Sequence, residues 1–77
     1  MLLQKSANTI FQHIGKKLHE RRLSRNEKLT AVAQEVGLSH GVISQIENGR
    51  YPGLSVRTLH TLANYYRISL TEIMCEE

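Results

Sequence analysis

The chain of 77 residues has few of the residues that mark several large classes of protein. Its single cysteine, Cys75, excludes a disulfide framework within one chain and a zinc site with several cysteine ligands. Its apolar runs are only a few residues long, too short to span a membrane. The apolar start at residues 1–3 is also too short for the core of a signal peptide. Together these absences predict a protein of the reducing cytoplasm.

The patterns of a sheet and of a catalytic centre are also missing. There is one proline and no long alternation of apolar and polar residues, whereas apolar residues recur at helical spacing almost throughout. No carboxylate pair, glycine-rich phosphate loop or nucleophile elbow is present, so we predict no enzyme. His13 and His19 do not share a helix face, and His40 and His60 fall on different helices, so we predict no metal site and no cofactor.

Positive charge is concentrated near the start of the chain. Residues 1–25 carry six basic side chains and one acidic side chain, while the rest is close to neutral and the whole chain has a net charge of +3. Such a cluster either faces a polyanion or forms the solvated face of a helix. Charge alone favours neither interpretation.

The apolar spacing predicts an all-α fold of five short helices around one core. The first helix is expected to begin between Ser6 and Thr9 and to end between Ser24 and Asn26. The expected N-caps of the other four helices are Asn26, Ser39, Ser55 and Ser69. The inward positions, in chain order, are Ile10, Ile14, Leu18, Leu29, Val32, Ala33, Val36, Val42, Ile43, Ile46, Val56, Leu59, Leu62, Ala63, Tyr66, Leu70, Ile73 and Met74. We expect one domain over residues 1–77, with an N-terminal arm at 1–9 and a core at about 10–75.

Helices two and three are joined by a turn of the length found in helix-turn-helix motifs, at residues 37–39. Ala33 is small where the third helix must approach the second. Gly37 can take the positive φ that the turn requires. Ile43 can fill the angle between the two helices. The combination is more specific than any one of these residues.

The third helix has two unlike faces. Val42, Ile43 and Ile46 share one arc, and the opposite arc contains no lysine or carboxylate: it is formed by His40, Gly41, Ser44, Gln45 and Asn48. Short polar groups suit base edges in the major groove, and an amide such as Gln45 pairs best with adenine. The alternative is a surface that is simply polar.

Two further features extend this interpretation. Arg22 continues the apolar stripe of helix one, so its charge should face the core and needs a carboxylate partner. Glu47 flanks the apolar arc of helix three, so we predict a partly buried ion pair between Arg22 and Glu47. Arg50 and Tyr51 follow helix three directly. They either contact the sugar-phosphate backbone, Arg50 by charge and Tyr51 by its hydroxyl, or belong to a solvated loop.

Residues 14–74 resemble the Cro and lambda-repressor-like helix-turn-helix family of bacterial and phage regulators. The matching segments are Val32-Ala33, Gly37-Leu38-Ser39, Ile43-Ser44-Gln45-Ile46-Glu47-Asn48-Gly49 and Leu59…Leu62-Ala63. The chain departs from the family at Leu29, where many relatives have glutamine, and at Glu27, where they usually have an apolar residue.

The resemblance implies a lambda-repressor-like domain that binds a short operator in double-stranded DNA as a homodimer and regulates transcription. It implies base reading from His40, Gly41, Ser44 and Gln45. It implies phosphate contacts from Leu29, Thr30, Asn48, Arg50 and Tyr51. Apolar residues beyond the needs of the core suggest a symmetric dimer that uses helix five, nearby loops and the N-terminal arm. An antitoxin-like protein-interaction module is the main alternative, and RNA binding is weaker because helix three lacks stacking aromatics.

Overall fold

The computed structural model describes residues 7–74, with side chains described from Thr9 onward. That range contains five helices and no strand: α1 (Ala7–Ser24), α2 (Leu29–Val36), α3 (His40–Glu47), α4 (Val56–Tyr66) and α5 (Leu70–Met74). The all-α, five-helix prediction is therefore confirmed. Helix α1 begins at Ala7, so residues 7–9, which we assigned to an arm, are helical. Residues 1–6, the rest of that predicted arm, and Cys75 lie outside the described residues.

All five helices contribute to one apolar core. Leu18, Val32, Ile43, Leu62 and Ile73 are among its most completely buried side chains. Helix α1 packs against α3, α4 and α5, and α3 packs against both α1 and α2. The inner face of α3 is therefore enclosed by the rest of the molecule.

Four of the five helices end in the same hydrogen-bonded arrangement. A residue one or two positions after each helix end has a positive φ, at Asn26, Gly37, Gly49 and Arg67. In each case the next backbone N–H donates to a carbonyl one turn back, as when Leu38 donates to Ala33 at 3.0 Å. This Schellman arrangement pairs carbonyl groups that a helix end leaves free.

Asn26 corrects our prediction for the start of α2. We expected it to cap α2, but it closes α1 with a φ of 60°, and Lys28 occupies the N-cap position without a side-chain hydrogen bond. Asparagine is favoured both at N-caps and in the left-handed conformation, so its presence marked a boundary without deciding which helix it belonged to.

The three serine caps are present as predicted. Ser39 accepts from the N–H of Val42 at 3.1 Å, and Ser55 accepts from Thr58 at 3.1 Å. Ser69 accepts from the N–H of Glu72 at 3.0 Å. Each hydroxyl pairs with an N–H in the first turn, which fixes where the helix begins.

Three side chains assigned to the core lie largely on the surface. Val56 is 74% exposed, Met74 is 52% exposed and Ile10 is 41% exposed. Val56 is the first residue of α4, so the core-facing stripe of that helix begins one turn later, at Leu59. In the short helix α5, Ile73 takes the core position and is fully buried.

Helix α1 lies unusually close to the end of α3. A Cβ atom at Gly15 would overlap the carbonyl oxygens of Ile46 and Glu47, so the absence of a side chain permits this contact. A Cβ at Gly49 would lie 2.7 Å from the Cα of Gln12. The orientation of α3 is thus set partly by backbone contacts with α1.

Candidate nucleic-acid interface

The outward face of α3 carries the side chains that we predicted to read bases. His40, Gly41, Gln45 and Asn48 are exposed, and Ser44 is half-buried. The helix holds no charged group on this face, and its first turn is fixed by the hydroxyl of Ser39. A rigid, uncharged row of hydrogen-bonding groups can meet base edges without a large desolvation cost.

The opposite face of α3 anchors it. Ile43 and Ile46 are each 2% exposed, and Val42 packs against the core from a half-buried position. Ile43 and Ala33 are buried in the same core, and α2 packs against α3, so the prediction that Ile43 fills the angle between the two helices remains a prediction. Burial on one side and exposure on the other hold the outward residues in a fixed orientation.

Arg22 and Glu47 form the predicted ion pair between α1 and α3. The guanidinium donates through Nε to Oε2 at 2.8 Å and through Nη2 to Oε1 at 3.0 Å. Only 12% of the Arg22 side chain and 7% of the Glu47 side chain are exposed. Hydrogen bonding to Glu47 raises the pKa of Arg22, although burial acts in the opposite direction. Both groups are turned away from the outward face of α3.

His19 joins this ion pair, which our sequence analysis did not anticipate. Its Nδ1 lies 2.8 Å from Oε1 of Glu47 and 3.2 Å from Nη2 of Arg22. Because an ionised carboxylate can only accept, the short contact to Glu47 requires a proton on Nδ1. His19 precedes Arg22 by three residues, so the two share a helix face, and that spacing was the available signal.

A second polar cluster ties the α1–α2 connection to α4. The hydroxyl of Tyr65 donates to Oε2 of Glu27 at 2.9 Å, and Nη2 of Arg25 lies 3.1 Å from the same oxygen. The Arg25 guanidinium also lies 5.1 Å and 5.4 Å from the ring centres of Tyr65 and Tyr66. Burial and then the hydrogen bond to Glu27 raise the pKa of Tyr65. These partners satisfy Oε2 of Glu27, whereas its Oε1 is buried without a hydrogen-bond partner among the described residues.

Half of the basic side chains near the N-terminus form ion pairs within the molecule. Arg22 pairs with Glu47, Arg25 pairs with Glu27, and Arg21 lies 3.0 Å from Glu72 on α5. Three of the cationic side chains counted there therefore have carboxylate partners. This observation weakens the interpretation of the cluster as a surface for a polyanion.

The residues expected to contact phosphates differ in exposure. Thr30, Asn48 and Arg50 are exposed, whereas Tyr51 and Leu29 are half-buried and pack against the core. The side chain of Leu29 is thus a packing residue, and only its backbone N–H, in the first turn of α2, remains suited to a phosphate. Arg50 directly follows Gly49, and its N–H donates to the carbonyl of Gln45 at 2.8 Å. This bond holds the backbone of Arg50 at the C-terminal end of α3, and its side chain is exposed.

Other kinds of site were sought among the described residues. No three histidine or acidic side chains among them come together in a way that could hold a metal ion. None of the helices α1 to α5 combines the length and apolar character needed to cross a bilayer.

Two helices joined by a three-residue turn, the second with one buried and one uncharged exposed face, define a helix-turn-helix domain. A family model described as a helix-turn-helix domain matches residues 13–73, and the chain belongs to this family. The resemblance to Cro and lambda repressor is consistent with that membership. Searches of curated proteins and of solved structures returned no match.

Proposed function

We propose that this protein is a sequence-specific transcriptional regulator that inserts α3 into the major groove of double-stranded DNA as a homodimer. The observation that supports this most is the contrast between the two faces of α3. Its inner side is anchored by Ile43, Ile46 and the Arg22–Glu47 pair, while its outer side is uncharged and exposed. Such a regulator would work in the cytoplasm, where bacterial and phage DNA is read.

In this proposal the outward residues of α3 have different roles. Gln45 donates and accepts a pair of hydrogen bonds with adenine. His40 reaches a base edge from the first turn, the part of a recognition helix that enters the groove most directly. Ser44, half-buried beside Gln45, reads a base through its hydroxyl. Gly41 lets the helix backbone approach the DNA.

Phosphate contacts would come from the two ends of the motif. Arg50 contributes charge, while Thr30, Asn48 and Tyr51 contribute hydrogen bonds. The N–H of Leu29 contributes the positive end of α2. These contacts fix the position of α3 on the duplex without reading its sequence.

The expected result of removing the amide of Gln45 is a change in sequence preference. Bound sites are first selected from a random duplex library with the parent protein. Gln45→Ala should then weaken the free energy of binding to these sites by about 1–3 kcal/mol and relax the preference at one base pair. Gln34→Ala, which removes an exposed amide from α2, should leave both properties unchanged. The test measures the affinity of both variants for the selected duplex and for duplexes that differ from it by one base pair. Unchanged affinity and preference in Gln45→Ala would show that α3 does not read DNA through this residue.

Arg50→Ala should behave differently from Gln45→Ala. It should weaken binding to all sequences alike and reduce the dependence of affinity on salt, because a phosphate contact carries charge but no sequence information. Titrations at several salt concentrations test this distinction. A sequence-dependent loss would instead place Arg50 against a base.

An apolar groove supports the proposed dimer. It has a volume of about 190 Å³ and is lined by Ile10, Phe11, Ile14, Leu54, Ser55, Val56, Leu59, Leu70 and Met74. Met74, one of its most exposed members, lies on α5, where we expected the subunits to meet, and Val56, which is also exposed, is the first residue of α4. A second copy covering this groove would remove both side chains from water.

We expect Val56→Glu to shift the protein from dimer to monomer in sedimentation at micromolar concentration, because a carboxylate would be buried unpaired at the interface. Leu23→Glu is the matched control, since Leu23 is 55% exposed and does not line the groove. A parent protein that stays monomeric with and without DNA would contradict the homodimer. A different protein found to occupy the groove would favour the antitoxin-like alternative.

A further inference from the structure

Gly41 differs from the other glycines that contact or terminate helices. Gly15 permits the close contact between α1 and α3, and Gly37 and Gly49 adopt positive φ at helix ends. Gly41 has no positive φ, and a Cβ atom added there would meet nothing within 4 Å. The fold therefore does not require glycine at the second residue of α3.

Glycine has a cost at this position. Within a helix it is less favourable than alanine, because it loses more conformational freedom on folding. Helix α3 has only eight residues, so each of them matters to its stability. Since the fold gains nothing visible from Gly41, a reason for it must be sought on the outside of the helix.

The surroundings of Gly41 suggest that reason. It lies four residues before Gln45, so the two occupy the same face of α3, one turn apart. His40 beside it and Gln45 one turn later are exposed hydrogen-bonding side chains. Because Gly41 has no side chain, it leaves open space between His40 and Gln45 on the outward face of α3, with no hydrogen-bonding group at that point.

We infer that Gly41 determines specificity by making room for the C5-methyl group of a thymine in the major groove. Thymine is the one base whose major-groove edge carries an apolar group of this size, so it needs space rather than a hydrogen-bonding partner. The gap beside Gln45, which favours adenine, matches such a methyl group on a nearby base pair. The inference rests on the proposed binding of duplex DNA. It assigns recognition of a thymine to Gly41, a residue without a side chain.

The test uses Gly41→Ala in the full chain and the duplex selected with the parent protein. We expect the thermal midpoint to rise by roughly 2–8 °C, because alanine favours the helix and meets no neighbour. We expect affinity for the selected duplex to fall about 5- to 150-fold, as when a methyl group is forced into a packed contact. Replacing one particular thymine by deoxyuridine should restore much of the affinity of the variant, while it weakens the parent about fourfold.

Asn64→Ala is the matched control. Asn64 is exposed near the end of α4, so alanine there should also favour the helix, and the affinity for DNA should stay unchanged. Wild-type affinity in Gly41→Ala would overturn the inference, and so would a loss of affinity that no single deoxyuridine repairs. If selection with the parent protein yields no duplex at all, the proposed function itself fails, which is a separate outcome from failure at Gly41.

Discussion

Glu47→Ala should lower the free energy of unfolding by about 3–5 kcal/mol. The substitution removes the two carboxylate oxygens that accept from the Arg22 guanidinium, and with them the partner of His19 Nδ1. Arg22 would keep its hydrogen bond to the carbonyl of Glu27, at 3.0 Å, and its contact with His19 Nδ1, but this largely buried cation would lose its carboxylate partner. Because small domains are stable by only about 5–15 kcal/mol, urea titration or thermal melting should show a large shift.

The exposed pair between Arg21 and Glu72 supplies the control. Its side chains are 38% and 53% exposed, so Glu72→Ala should cost no more than about 1 kcal/mol. The double variant Arg22→Ala with Glu47→Ala should be less destabilised than the two single losses added together, since neither charge is then left without its partner. Equal melting curves for Glu47→Ala and the parent would show that the pair contributes little.

The same variant also separates stability from recognition. Glu47 is turned toward α1 and does not share the outward face of α3. At a temperature where Glu47→Ala is folded, we therefore expect it to prefer the same base pairs as the parent. Gln45→Ala should show the reverse pattern, with an altered preference and little change in melting.

Local signals account for much of the fold. Gly37 ends α2, and Ser39, Ser55 and Ser69 cap helices as expected, because each requirement involves residues only a few positions apart. The Arg22–Glu47 contact joins residues 25 positions apart, yet it could be predicted because a charge on a core-facing stripe needs a partner.

The errors arose where two interpretations shared one local signal or where a partner was distant. Asn26 suited either the end of α1 or the start of α2, and only the φ of 60° decides. The contact between Tyr65 and Glu27 spans 38 residues, and no periodicity in either segment points to the other. Val56 matched the apolar spacing of α4, but the first turn of that helix extends beyond the core.

The outward face of α3 could be predicted as a surface because helical spacing determines which residues are opposite Ile43 and Ile46. Exposure of His40, Gly41, Gln45 and Asn48 agrees with that spacing. Which base each residue meets depends on a duplex and on how two copies are placed along it. The sequence of one chain does not contain that geometry, so those roles are proposals to be tested by selection and substitution.

Ile43→Ala should be the second strongly destabilising change and should lower the free energy of unfolding by about 2–5 kcal/mol. Ile43 is 2% exposed and α3 packs against both α1 and α2, so removing its side-chain atoms beyond Cβ leaves a cavity in the core beneath α3. Thermal melting followed by circular dichroism measures the loss. At low temperature, where the variant is folded, weaker DNA binding is also expected, because α3 is held less firmly against α2.

Substitutions that remove different amounts of side chain test whether the lost stability comes from a cavity. Ile43→Val removes one methylene and should lower the free energy of unfolding by about 0.5–1.5 kcal/mol. Ile43→Ala should lower it several times more if the neighbouring side chains cannot fill the cavity. Val42, on the same helix, packs against the core from a half-buried position, so Val42→Ala should cost less than Ile43→Ala. Similar losses for Ile43→Ala and Val42→Ala would contradict the prediction that Ile43 fills the angle between α2 and α3. The large difference expected between neighbouring positions follows from α3 having one enclosed and one open face, and Gln45 lies on the open one.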